Sequence, residues 1–154
     1  VAARAVDRNG VLHTLPPSAL QFSYRHCGVP NDWIFVDAEL RGSPDTPEAV
    51  QERMAEIQAK REASQPIRAR TGGSTFANPE GQSAWKLVDA AGCRGLKLGD
   101  AQISAQHCNF LINTGSASAA DLENLGEQVK KRVRDTSGTE LRWEIQRIGT
   151  PKKD

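Results

Sequence analysis

Small and branched apolar residues alternate with charged ones from the first residue, which is the two-residue period of a strand. Val1 to Asp7 reads as that strand, Asn9-Gly10 as a hairpin turn and Val11 to Leu15 as the returning strand. Because the first residues already read as structure, the chain is expected to start within a fold. Pro16-Pro17 follows, and then Gln21 to His26 and the apolar run Trp33 to Leu40 continue the β pattern around a turn at Val29-Pro-Asn-Asp32. The period then lengthens. Thr46 is placed to cap a helix, Pro47 suits its first position and Glu48 favours the positive end of its dipole. Val50, Met54 and Ile57 recur at helical spacing and predict a buried face, with Glu52, Glu56, Lys60 and Glu62 in water.

Gln65-Pro66 ends this helix, and a boundary is expected there that divides residues 1–66 from residues 67–154. Thr71-Gly-Gly-Ser-Thr-Phe-Ala-Asn-Pro79 reads as a glycine loop. Gly72 and Gly73 permit positive φ and close approach of another molecule, Ser74 offers a hydroxyl that can relay a proton, and Asn78 can donate and accept. A short helix from Ser83 to Ala91 turns Leu87, Val88 and Ala91 inward and stops at Gly92. Short strands follow in Gly95 to Ile103 and Asn109 to Asn113, around turns at Gly99-Asp100 and Thr114-Gly115. Ser118 and Asp121 have the spacing of a capping box, opening a second long helix with Leu122, Leu125, Val129 and Val133 as its buried stripe and Gly138 as its stop. Leu141 to Ile148 alternates again, with Leu141, Trp143 and Ile145 on one face and Arg142, Glu144 and Gln146 on the other. Strands and helices without a βαβ repeat define an α+β fold.

Composition narrows the function classes. Twenty Lys and Arg against 19 acidic residues leave a net charge of +1, no bulk argument for nucleic acid or an anionic membrane. The basic run Lys130, Lys131, Arg132 and Arg134 lies near a helix C-terminus, where the dipole favours it, and no aromatic residues interleave with it, so a solvated face is preferred to a nucleic-acid patch. No apolar stretch is long enough to span a membrane and no signal-peptide pattern opens the chain, so a cytoplasmic protein is expected. Cys27, Cys93 and Cys108 are odd in number and widely spaced, which fits reduced thiols. His26-Cys27 and His107-Cys108 match no zinc spacing, and no metal is expected.

Several separated motifs occur in one order: Phe22-Ser-Tyr-Arg25, Gln65-Pro66, Gly72-Gly-Ser-Thr-Phe76 with Asn78-Pro79, Leu98-Gly-Asp-Ala-Gln-Ile-Ser104, His107, Asn109-Phe110, and Trp143-Glu-Ile145 with Arg147-Ile-Gly149. In these the chain resembles the UDP-N-acetylenolpyruvoylglucosamine reductase family, flavoenzymes of peptidoglycan precursor synthesis, over its C-terminal half. The resemblance implies a C-terminal remnant of an FAD-binding domain in residues 1–66 and a small α+β substrate-binding domain in residues 67–154. It implies FAD and NADPH as cofactors, a UDP-sugar as substrate and an N-terminal flavin domain as the partner that completes the site. The glycine loops that hold the FAD pyrophosphate are missing from the sequence, so FAD is not expected to be retained by this chain alone, which is expected to be inactive in isolation.

The roles that the resemblance implies are specific. Hydride addition to the enolpyruvyl group leaves negative charge at C2 and on its carboxylate, which preorganised donors stabilise. Arg25 matches the arginine that takes the carboxylate, Glu144 the glutamate on its opposite side, and Ser74 the serine that protonates C2. Tyr24, Asn78 and His107 match substrate-site positions, Asn78 and His107 toward the diphosphate. Bonding of a half-buried His107 to backbone is the structural alternative for that residue. Ala77 stands where the family usually has lysine, one cation fewer. The competing function is a non-catalytic nucleotide-sugar-binding module of the same fold. Apolar surface is expected to be exposed where the N-terminal half would pack.

Overall fold

The structure, a computed structural model, describes residues 1–150. It forms two compact units that meet in sequence at Val50 and Gln51, upstream of the division at residue 66 expected from the sequence.

The first unit is a three-stranded antiparallel sheet in the order β2-β1-β3, with β1 at Ala2–Val6, β2 at Leu12–Leu15 and β3 at Ile34–Glu39. The hairpin is made by Asp7, whose carboxylate accepts from the backbone N–H groups of Asn9 and Val11 at 2.8 and 2.9 Å while Gly10 takes φ +79°. Its other carboxylate oxygen meets His13 Nε2 at 3.0 Å, and that ring stacks on Trp33 at 4.3 Å. Ala3 and Ala5 face inward from β1, and the core around Ala3, Leu20 and Val29 is small. Strand β3 is exposed along its whole length. The sequence expectation of a strand at Gln21 to His26 is not met. Pro17–Leu20 forms one helical turn, α1, and Gln21 leaves it at φ +44°, which bends the chain out of any ladder.

Helix α2, Pro47–Ser64, begins as its residues dictate, with Ala49 N–H donating to Thr46 Oγ1 at 3.3 Å. Its expected buried face is absent: Val50, Met54 and Ile57 are 39, 64 and 60% exposed, and the helix buries none of its residues. Periodicity supplies an apolar stripe, but burial needs a surface to cover it. Among the described residues none does.

The second unit has a four-stranded antiparallel sheet in the order β4-β7-β6-β5, from β4 at Thr71–Ser74, β5 at Lys97–Leu98, β6 at Ala101–Ile103 and β7 at Phe110–Asn113. Helix α4, Ala119–Ser137, packs on the sheet and on α3, Ala84–Ala90. Its start is the expected capping box, with Ser118 Oγ accepting from Asp121 N–H and the Asp121 carboxylate accepting from Ser118 N–H. It ends at Gly138 in the left-handed region, φ +71°. Leu125, Val129 and Val133 are fully buried against Phe76, Val88, Ile103 and Leu111, and Leu122 packs at the edge of the same core. Cys93 and Cys108 sit inside it as free thiols, and burial pushes the Cys108 thiol up to about 11.

The strand expected at Leu141 to Ile148 is reduced to one antiparallel bridge between Phe76 and Trp143, with Ala77 N–H donating to Arg142 C=O and Glu144 N–H to Thr75 C=O, both at 2.9 Å. The alternation is real, but its partner leaves: past Phe76 the chain turns away at Asn78-Pro79, and proline cannot donate to a ladder. Trp143 holds the segment instead, its ring tilted on Phe76 at 5.2 Å and its Nε1–H donating to Glu127 at 2.7 Å.

Candidate functional site

The expected loop around Ser74 is a strand with a fault in it. Thr71 pairs with Ile112 and Ser74 with Phe110, and the register shifts between them, where Gly73 takes φ +89°. Only glycine enters that region without strain, so the shift is written in the sequence at Gly73. Its effect is to deliver Ser74, half-buried, at the end of β4.

What fixes the next residues is a pair of buried polar side chains. Asn109, 5% exposed, acts as a peptide group laid across the chain: Nδ2 donates to Phe76 C=O at 2.8 Å and Oδ1 accepts from Phe76 N–H at 3.0 Å. Thr75, 1% exposed, accepts from Leu111 N–H at 3.1 Å through its hydroxyl, and its own N–H donates to Asn109 C=O at 2.7 Å. These bonds hold the two residues that follow Ser74 against β7 and the turn before it. Thr75 C=O then receives Glu144 N–H, so the half-buried Glu144 joins the backbone one residue from Ser74. Ser74 and Glu144 are thus brought to one sheet edge.

Asn78 lies four residues beyond Ser74, and its Oδ1 accepts from Ala84 N–H at 2.9 Å, capping α3 where Ser83 makes no cap bond. Next to Ala84, the half-exposed Trp85 lies 6.1 Å from the ring of His107. The same imidazole stands edge-on to Phe110 at 4.9 Å, and Phe110 is the strand partner of Ser74. Ser74, Asn78 and His107, apart in sequence, therefore belong to one local cluster in the second unit. His107 Nδ1 accepts from Asn109 N–H at 3.3 Å, the backbone bonding foreseen as its structural alternative. Burial, with the positive field of Arg94, pushes its pKa below the ordinary histidine value.

Tyr24 and Arg25 lie in the first unit. They form the tip of a tight turn closed by Ser23 N–H to His26 C=O and His26 N–H to Ser23 C=O, both 3.1 Å. Arg25 has φ +56°, costly for a side chain with a Cβ by about 1–2 kcal/mol. Its guanidinium lies 5.8 Å over the Tyr24 ring, and Tyr24 is 67% exposed. A strained, exposed arginine on a short turn is held there by the loop, whose base is closed by Gly28 N–H to Leu20 C=O at 2.8 Å. Adding a Cβ to Gly28 would put it 2.8 Å from Gln21, so that close approach requires glycine.

Sequence reasoning missed the roles of Thr75, Asn109, Ser104 and Trp85. Their signal was available only in part. Polar residues at inward strand positions imply a partner, but the sequence does not name it.

The fold and site together define an α+β domain in which a half-buried serine, a glutamate and a histidine are set at the edge of a small antiparallel sheet. The family model described as UDP-N-acetylenolpyruvoylglucosamine reductase, C-terminal domain, matches residues 65–148. The chain belongs to the UDP-N-acetylenolpyruvoylglucosamine reductase family. It is 62% identical over 149 residues to the reductase of that name from Paramagnetospirillum magneticum, covering 97% of this chain and 48% of that protein. The relative of the same name from Rhodospirillum rubrum is 62% identical over 154 residues, with 97% and 48% covered. The crystal structure of UDP-N-acetylenolpyruvylglucosamine reductase from Thermus caldophilus matches at 37% identity and a TM-score of 0.77, over 93% of this chain and 51% of that one. The chain spans about half the length of the curated relatives it matches.

Proposed function

We propose that this chain is the substrate-side half of an enzyme that reduces UDP-N-acetylglucosamine enolpyruvate to UDP-N-acetylmuramate in a flavin- and NADPH-dependent reaction. Supporting this reading above all is the convergence of Ser74, Glu144, Asn78 and His107 on elements of one unit within a chain of that family. Ser74 is the proton donor to C2, and its setting between bonds of Gly73 and Thr75 limits the positions its hydroxyl can reach. Glu144, one residue beyond the Trp143 anchor, serves the carboxylate side. Arg25 binds the carboxylate, for which a permanently charged planar guanidinium is suited. Asn78 keeps its Oδ1 on α3, so any contact it makes with a diphosphate runs through its amide nitrogen.

The glycine-bearing loop Thr114–Ser118 runs into the long helix α4, as a pyrophosphate loop would, but its N–H groups are spent: Gly115 on Asn113, Ser116 on Asp100 and Ser118 on Asp121. The flavin is accordingly assigned to the N-terminal domain of the complete enzyme. That domain is the partner proposed for the apolar groove of about 460 Å³ in the first unit, whose lining includes Phe22, Phe35, Val36 and Leu40.

The test uses the chain joined to the missing half, assembled as the full-length enzyme. Ser74→Ala leaves flavin reduction by NADPH intact and slows enolpyruvyl reduction by about 10² to 10⁴. Unchanged turnover would remove Ser74 from the mechanism. UDP-sugar binding by a full-length protein that retains no FAD would favour the non-catalytic binding module instead.

A further inference from the structure

The turn from Ser104 to Asn109 is more heavily bonded than a surface loop needs to be. Ser104, 2% exposed, accepts from Gln106 N–H at 3.2 Å and from His107 N–H at 3.1 Å through one hydroxyl oxygen. The Gln106 side chain reaches across to α2, where Nε2 donates to Glu62 C=O at 2.9 Å and Ala63 C=O at 3.1 Å. Those carbonyls belong to the last turn of the helix and have no partner within it, so the amide closes the helix end and pins the turn in one action. Two residues further on, Asn109 N–H donates to His107 Nδ1. A nitrogen that accepts a hydrogen bond carries no proton, so a neutral imidazole held this way must carry it on Nε2.

Nε2 has no hydrogen-bond partner among the described residues, and no buried side-chain nitrogen or oxygen there lacks one. In a half-buried residue this combination leaves Nε2 reaching solvent. We propose that Gln106 is a positioning residue that fixes His107 as the neutral Nε2–H tautomer, presenting to an anionic ligand a single aimed N–H.

The charges around the ring agree with that assignment. Arg94, from the loop after α3, opposes a proton on it, and Lys86 on α3 lies 5.7 Å over the Trp85 ring beside it. Asp89, the carboxylate beside Arg94, is occupied by Arg94 Nε and Nη2 at 2.9 and 2.8 Å, and no carboxylate is among the groups that shift the imidazole. A neutral donor suits a diphosphate diester, because the contact is a single N–H aimed at an acceptor oxygen and needs no proton taken up by the ring.

This inference rests on the proposed site for the part that concerns a ligand, but not for the tautomer. The experiment therefore has two readouts on the full 154-residue chain. Long-range proton–nitrogen NMR of the ligand-free chain reads the tautomer: Nε2 is expected as the protonated nitrogen and Nδ1 as the bare one, titrating below the ordinary histidine value. Gln106→Glu, which removes the donor and sets a carboxylate against the carbonyls, should give averaged tautomer shifts. Gln106→Lys, which keeps a donor at the helix end, should restore the wild-type pattern. A protonated Nδ1 in the wild type, or a pattern indifferent to Gln106→Glu, would overturn the assignment. Titration with UDP-N-acetylglucosamine then reads the site, where Gln106→Glu should weaken binding about five- to tenfold, the effect of losing one or two ordinary hydrogen bonds. If the tautomer follows Gln106 while His107→Gln leaves that affinity unchanged, the ligand reading of His107 falls and the tautomer assignment stands.

Discussion

At the scale of single residues, the second unit has one histidine whose pKa is shifted, and it sets a pH response below neutrality. The folded chain holds His107 below its ordinary pKa, mainly through burial and further through Arg94, whereas the unfolded chain leaves it near about 6.5. Below that value the unfolded state takes up the proton first, so unfolding is favoured as the pH falls from about 6.5 toward the folded pKa, and above it the contribution is complete. Denaturant unfolding followed by tryptophan fluorescence from pH 8 to pH 5 should therefore show stability declining over the lower half of that range. His107→Gln should flatten the decline. An equal slope in the two proteins would place the titrating group elsewhere. Asp7 acts in a separate, more acidic window: its carboxylate is held below the usual range chiefly by His13, and then by Val11 N–H, so its contribution is lost only as the pH falls through that depressed value.

At the scale of elements, local chemistry was the legible part and tertiary partners were not. The capping box at Ser118, the stop at Gly138 and the hairpin at Asn9-Gly10 are short-range devices, and the structure contains each of them. The apolar face of α2 and the strand at Leu141 to Ile148 failed for a shared reason, since a stripe or an alternation states what could be buried and not what covers it. The docking of that C-terminal segment turns on a residue the pattern does not mark. Gly126 lies buried in α4 beneath the Trp143 ring, and a Cβ there would stand 2.7 Å from Cζ2 and 2.9 Å from Cζ3. Gly126→Ala gains about 1 kcal/mol of helix propensity and loses typically 1–3 kcal/mol to overpacking. A net loss is expected while Trp143 is present. In a Trp143→Ala background the same substitution should stabilise by about 1 kcal/mol, since only the propensity is left. Thermal unfolding of the four proteins measures the reversal, and a loss in both backgrounds would show that Gly126 is required for something other than the ring.

At the scale of the whole molecule, the α+β class and the motifs of the site could be read from the sequence, but the distribution of stability between the units could not. It depends on the size of what is buried. The first unit buries chiefly Ala3, Ala5, Leu20 and Val29, while the second closes Phe76, Val88, Ile103, Leu111, Leu125, Val129, Val133 and Leu141 into one cluster. Burial contributes about 25 cal/mol for each Å² of apolar surface, and an alanine offers little of it. The first unit also carries two non-glycine residues at positive φ, Gln21 and Arg25, each of which costs free energy on folding. Opening should therefore begin in the first unit, and native-state hydrogen exchange is the measurement that resolves it. Amides of β1, β2 and the Ser23–His26 turn should exchange at lower denaturant and through smaller openings than those of β6, β7 and α4. Equal protection in both sets would mean that the alanine-rich sheet draws its stability from contacts other than its own core. The expected order puts Ser74, His107 and Glu144 on the unit that opens later, whereas Tyr24 and Arg25 sit on a turn whose strained form persists only while its surroundings hold it.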